Sequence, residues 1–289
     1  MTYESFSVDI QDRIAHIVLT RPEKRNSMVP AFWRDLPAIV EDIDGNARAR
    51  AIVVSSTGPH FCAGMDLASF GGGSGGGSGG GDGGDDAAAR AARIRHGASF
   101  YDSALHMQRS LSCLEACRIP VLAAIQGGCI GGGVDMVSAC DMRYATEDGY
   151  FTIFEINIGM TADVGTFPRL CKLIPEGIVR ELAYTGRRLS AGEAKEIGLV
   201  NRVYADQDAM LEGVFDVARE IAGKPPLAVY GCKRMINYAR DHSTADGLDY
   251  IAIWNASFLQ GAEMQEAMLA NQQKRPGEFV DLPKKRSAG

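Results

Sequence analysis

Short apolar runs fill the first part of the chain, and helical periodicity takes over later. Ser5 to Asp9 and Ile14 to Thr20 read as two strands joined at Gln11-Asp12-Arg13, an opening hairpin. Ala51 to Ser56 is a compact Val/Ile strand ended by Gly58-Pro59, and Pro120 to Ile125, bounded by a proline and by glycines, reads as a buried strand. Leu199 to Tyr204 is one more. Between them, Asn26 or Ser27 is the expected N-cap of a helix reaching Asp44, with Pro30 in its first turn and Pro37 kinking or dividing it. Ala87 to Cys117, Val134 to Cys140, Phe167 to Leu173, Gly177 to Thr185 and Ala191 to Ile197 read as helices, the last opened by a capping box at Ser190. From about Gln207 strand signals stop and amphipathic helices run through Lys274, followed by a tail, Leu282 to Gly289, expected to fray. The pattern predicts an α/β core over residues 1–205 and a helical region over 206–289.

Two turns break this pattern. Phe61-Cys62-Ala63-Gly64-Met65-Asp66-Leu67 is a small-residue turn at the carboxyl end of a strand, where α/β folds place ligands. After Ile125 the chain passes five glycines within seven residues and enters the helix at Val134. Glycine lets the backbone approach a ligand, and the first N–H groups of a helix are unpaired and point outward, which suits a negatively charged oxygen. Carboxylates follow at Asp135, Glu155 and Asp163, among Val, Ile, Phe and Met. A carboxylate in apolar sequence calls for a reason. Local roles exist for two of them: Asp163 as an N-cap and Asp135 as a first-turn acid answering its helix dipole. Glu155, on what reads as an apolar strand, has none.

Composition narrows the class. Of 289 residues, 46% are hydrophobic and 23% charged, the balance of a globular protein large enough for a sizeable core. Acids exceed bases by 36 to 30, a formal charge of -6, which disfavours a nucleic-acid binder. No run approaches the roughly 20 apolar residues of a membrane span, and Met1 to Glu4 lacks a signal-peptide pattern, so the expectation is a cytoplasmic protein. Seven cysteines without a CxxC point to reduced, buried thiols and no metal site, Cys113 and Cys117 included. Gly71 to Asp86 is almost free of side chains that could be buried, and reads as a flexible insert acting as a spacer or a flap. Lys24 and Arg25 read either as a solvated turn or as a phosphate contact, and Lys233 either as a phosphate contact or as a solvated lysine. His242 reads as a structural hydrogen-bonder, Tyr150 and Trp254 as packing residues.

The segments 61–67 and 125–135 resemble the two signature segments of the crotonase (enoyl-CoA hydratase/isomerase) superfamily. Within it, Gly127 to Asp135, Thr161 to Thr166, Arg240-Asp241-His242-Ser243 and Trp254-Asn255 are similar to the dienoyl-CoA isomerase branch, since a hydratase pattern carries Glu where Asp135 stands and needs no acid at Asp163. The resemblance spans nearly the whole chain apart from the insert. It implies a spiral of repeated ββα units with a C-terminal α-helical trimerisation region, forming trimers or dimers of trimers. It also implies an acyl-CoA substrate of the β-oxidation type and no cofactor beyond the CoA of the substrate itself. By position, the backbone N–H groups of Met65 and Gly132 form the oxyanion hole, and Lys24, Arg25, Ala63, Gly64, Asp66, Leu67, Gly131 and Gly133 line the CoA and substrate site. The catalytic acids are Asp135, Glu155 and Asp163: Asp163 takes a proton from C2, Glu155 delivers one at C6, and Asp135 orients the pair. An apolar setting predicts a protonated Glu155, and a nearby helix start predicts a low pKa for Asp163. The insert departs from the family, as does the ending Ser287-Ala288-Gly289, which is no peroxisomal tripeptide. Two rivals remain: an enoyl-CoA hydratase using Asp135 and Glu155, and a non-catalytic crotonase-like binding protein.

Overall fold

A computed structural model describes residues 3–66 and 87–285, the side chains of 87–89 excepted. The predicted hairpin is present as β1 (Phe6–Gln11) and β2 (Ile14–Leu19), antiparallel with Phe6 opposite Leu19. Then β3 (Ala51–Ser56), β4 (Val121–Ile125), β6 (Met142–Thr146) and β9 (Arg202–Tyr204) extend a six-stranded sheet in the order β1-β2-β3-β4-β6-β9, parallel from β2 onward. A smaller sheet holds β5 (Gly128–Ile130), β7 (Tyr150–Thr152) and β8 (Leu189–Ser190). Successive turns of the chain place one strand in each sheet and then a helix: β4, β5 and α3 (Gly132–Ser138), then β6, β7 and α4 (Thr166–Leu173). This is the expected ββα spiral.

The strands read as continuous apolar runs because both faces of the large sheet are covered. Alternate residues feed two cores. Ile52, Val54, Ala123 and Ile125 join Phe32, Leu36 and Ile39 of α1 (Pro30–Gly45) and Leu111 and Leu114 of α2 (Ala87–Ala116). On the other face, Val53, Leu122 and Ala124 join Met210, Val214 and Ala218 of α7 (Gln207–Ala222). Between α4 and α7 lie α5 (Glu176–Thr185) and α6 (Ala191–Glu196), the latter capped by the Ser190 hydroxyl.

Several expectations change. The residue preceding α1 is Val29, without a side-chain cap. Asn26 is left-handed at φ 54° instead, and its amide donates to the carbonyls of Thr57 and His60 at 2.9 Å each, clamping the basic loop to the turn after β3. Pro37 does not divide α1. A proline there deprives the carbonyl four residues earlier of its donor; that carbonyl, on Trp33, accepts from the Ser110 hydroxyl of α2 at 2.7 Å. The tail does not fray through Lys285: Arg50 donates to Asp281 and to the carbonyl of Phe279, and Arg118 to that of Pro283.

Three further helices follow, α8 (Pro226–Ala239), α9 (Thr244–Phe258) and α10 (Gly261–Gln273). No residue of α9 is buried in the single chain, and Leu248, Ile251, Ile253 and Phe258 are exposed. Lys233 on α8 is neither solvated nor free to meet a phosphate: its ammonium donates to the carbonyls of Leu114 at 2.9 Å and Ile119 at 3.0 Å and pairs with Asp141 at 2.8 Å. It ties α8 to the end of α2 and the start of β4. Lys233→Met leaves these acceptors and Asp141 without their buried partner, and is expected to cost about 3 to 5 kcal/mol. Urea unfolding checks this, and an unchanged midpoint contradicts it.

Candidate active site

The two glycine turns meet. Cys62 and Cys129 form a parallel bridge, in which the Cys62 amide donates to Gly128 at 3.1 Å and the Ile130 amide to Cys62 at 2.9 Å. The turns that leave this ladder therefore start side by side. A Cβ on Gly64 (φ +81°) would lie 2.8 Å from the Ile130 carbonyl oxygen and 3.2 Å from the Gly132 nitrogen; Gly131 is held at φ +52°. No side chain fits between them. The amides around this contact are used: Ala63 donates to Arg25, Asp66 to Met28, and Gly131 to Thr152. Those of Met65 and Gly132 donate to no acceptor among the described residues, and Gly132 is the first residue of α3. Two unpaired donors on touching turns, one at a helix start, can receive an oxyanion.

The basic loop runs along the first of these turns through the Arg25 and Met28 carbonyls. Lys24 and Arg25 are exposed on its rim. Ala63 and Met65 are half-buried, and Gly133 packs on Cys62, where a Cβ would sit 3.1 Å from the carbonyl oxygen. Asp66 is turned back on the loop, accepting from the Ser27 hydroxyl at 3.0 Å with Arg21 at 4.0 Å. Leu67 and the glycine-rich insert lie outside the described residues.

Asp135 is buried in the first turn of α3, where its Oδ1 accepts from the Thr166 amide at 2.6 Å and the Thr166 hydroxyl at 2.7 Å. Its carboxylate thus serves the start of α4 rather than its own helix. Burial pushes its pKa up to about 6 against the pull of Thr166. Glu155 departs from the strand reading: it opens a 3₁₀ turn, Glu155–Ile158, flanked by exposed Phe154 and Ile156. Its Oε1 lies 3.1 Å from where a Cβ on Gly131 would stand, and its buried Oε2 has no partner among the described residues. Burial first, then the charge of Asp135, pushes its pKa to about 7. Asp163 is no cap either, since Gly165 holds the cap position of α4. Burial raises its carboxyl, against the lowering expected from the helix start. The first helix N–H, on Thr166, is taken by Asp135 instead.

The three acids feel one another electrostatically, with Glu155 beside Gly131 of the second glycine turn and Asp135 in the helix that leaves it. Thr166, Gln108 and Arg169 complete their surroundings: Gln108 donates to the Asp163 carbonyl at 2.6 Å, and Arg169 reaches Ser112 and Glu115. Spacing carries no signal for the last two, whose partners are more than fifty positions away in sequence. His242 bonds the Tyr238 carbonyl and Trp254 packs on Tyr230 and Phe258, both structural. Among the described residues no group of three or more His, Cys, Asp or Glu side chains could hold a metal ion, and no helix is long and apolar enough to cross a membrane.

The sequence profile of the enoyl-CoA hydratase/isomerase family matches residues 9–79 and 82–282. The mitochondrial Δ(3,5)-Δ(2,4)-dienoyl-CoA isomerase of Mus musculus is 43% identical over 98% of this chain and 84% of its own. The peroxisomal protein of the same name from Arabidopsis thaliana is 36% identical over 98% of this chain and 100% of its own. The crystal structure of an enoyl-CoA hydratase from Bacillus anthracis superposes with a TM-score of 0.83 at 28% identity, over 96% of this chain and 99% of that one. The cytoplasmic expectation is thereby corrected: these isomerases carry mitochondrial and peroxisomal names, and the lack of a secretory pattern in Met1 to Glu4 does not bear on such addresses. The chain belongs to the enoyl-CoA hydratase/isomerase family, the crotonase superfamily whose two signature turns meet at Gly64 and Gly132.

Proposed function

We propose that the chain is a Δ3,5-Δ2,4-dienoyl-CoA isomerase, the activity named for its mouse and Arabidopsis relatives. The observation that carries this reading is the third acid. Asp163 stands in electrostatic reach of Glu155 and Asp135, at a position where a hydratase has no use for a carboxylate.

A carboxylate is too weak a base to deprotonate carbon beside a thioester unless the enolate oxygen is stabilised as it forms. The Met65 and Gly132 amides supply that, and each such donor is worth about 3 to 4 kcal/mol of barrier. With the carbonyl oxygen seated there, ionised Asp163 removes a proton from C2. The dienolate spreads its charge to C6, where protonated Glu155 delivers a proton. These carbons are too far apart for one rigid carboxyl, which is why two are needed. Asp135, fixed by Thr166, raises the pKa of its neighbour and keeps Glu155 loaded. The acyl-CoA is held along the basic loop, with Lys24, Arg25, Ala63, Gly64, Asp66, Gly131 and Gly133 lining its path, and no cofactor enters the chemistry. Residues 1–205 carry the site, and the region 206–289 carries assembly into trimers or dimers of trimers, for which the exposed apolar residues of α9 are the supporting feature.

The hydratase reading draws on the Bacillus structure, yet it leaves Asp163 without work and places the shorter Asp135 where a longer acid would hold water. Retained acids count against a non-catalytic crotonase-like binding protein, and the net charge of -6 against one that binds RNA.

Purified protein should convert 3,5-dienoyl-CoA to 2,4-dienoyl-CoA, followed by growth of conjugated-diene absorbance; faster hydration of a 2-enoyl-CoA would favour the rival. Asp163→Asn and Glu155→Gln should each lower kcat by about 100-fold or more with the fold retained, and near-full rates in both would refute the acid/base roles. Glu155 acts protonated, so kcat/KM should fall as pH rises through about 7, and Asp163 acts ionised, so it should fall again on the acid side. Asp135→Asn removes a charge that raises Glu155, and should move the alkaline limb of that profile to lower pH. An alkaline limb that stays in place would show that Asp135 does not tune Glu155.

A further inference from the structure

The isomerisation leaves its two carboxyls exchanged. Asp163 ends a turnover holding the proton from C2, and Glu155 ends it ionised. The protein has neither gained nor lost a proton, but the next substrate meets a spent base and a spent acid. Either the proton passes internally from Asp163 to Glu155, or Asp163 releases one to water and Glu155 takes another from it.

We propose that this reset runs through solvent, by way of a polar cleft behind Asp163; the proposal rests on the isomerase reading above. The cleft holds about 390 Å³, with Gln108, Ser112 and Glu115 of α2 on one wall and Asp163, Arg169 and Lys172 on the other. Its rim is wet, the Lys172 and Asp241 side chains being 38% and 62% exposed. At its floor Arg169 is more than nine-tenths buried, and its Nη1 has no acceptor among the described residues. A buried guanidinium N–H without an acceptor calls for water. Asp163 lines the cleft and Glu155 does not, so on the isomerase reading it serves the C2 base and not the C6 acid. Asp135 is a poor internal carrier, because its Oδ1 is already the acceptor for both Thr166 donors, which favour its ionised form.

The step balances. The Asp163 O–H bond breaks and its proton leaves through cleft water to bulk. The Glu155 carboxylate gains a proton from solvent once product leaves, since its 3₁₀ turn is flanked by exposed residues. Hydrogen from C2 is thus lost to water, and hydrogen at C6 of the product comes from water.

The test uses 3,5-dienoyl-CoA with deuterium at both C2 positions, turned over many times in ordinary water at low conversion, with mass spectrometry of the product. The proposal predicts protium at C6. Deuterium at C6 in most of the product overturns it in favour of internal return, whereas absence of any conjugated product refutes the isomerase reading instead. Ser112→Leu, which fills the cleft beside Arg169 without touching the three acids, should lower kcat several-fold with KM unchanged. A small buffer base such as imidazole should restore it. A folded Ser112→Leu protein with unaltered kcat, or one that buffer does not rescue, overturns the assignment to this cleft. If that variant fails to fold, the labelling result decides alone.

Discussion

The site depends on a backbone contact that tolerates no side chain. Gly64 and Gly131 take positive φ values on turns that leave the paired Cys62 and Cys129, and an added methyl on Gly64 would strike the Ile130 carbonyl oxygen. Only with the chains this close do the amides of Met65 and Gly132 stand on touching turns, without acceptors among the described residues. Glycine is unfavourable in regular structure because it loses most freedom on folding. Here the surrounding core, built from both faces of the large sheet, offsets that cost. The rigidity of the site is thus borrowed from the sheet and the bridge beside it, and the turns contribute their amides.

The acids are arranged by a second economy of backbone groups. The start of α4 is served by Asp135, a carboxylate from another helix. That leaves Asp163 out of the cap, raised by burial, and lining a cleft, and it leaves Glu155 beside a fixed negative charge with one oxygen unpartnered among the described residues. Three carboxyls among apolar groups repel one another and are desolvated, which separates their roles: an anchored acceptor, a base, and an acid near neutrality.

Much of this was legible in sequence because it is local. The hairpin, the buried strands and both glycine turns follow from short apolar runs and from glycine clusters, and Ser190 caps its helix as the spacing predicts, although Glu193 pairs with Arg187 and does not close the box. What escaped depends on partners far along the chain. Pro37 is tolerated because Ser110 supplies the missing donor to Trp33, and no feature near Pro37 announces it. Asn26 reads as a cap, but two carbonyls more than thirty residues away claim its amide. Asp163 reads as a helix-start acid for the same kind of reason, since Asp135 takes the amide first. Lys233 reads as a surface lysine until its helix packs over the carbonyls at the end of α2.

The most direct test of this account is a crystal structure with bound 2,4-dienoyl-CoA. The account predicts the thioester oxygen about 2.7 to 3.1 Å from both the Met65 and Gly132 nitrogens, with C2 facing Asp163 and C6 facing Glu155. A thioester oxygen turned to solvent or held by side chains, with the two amides still empty, would contradict it.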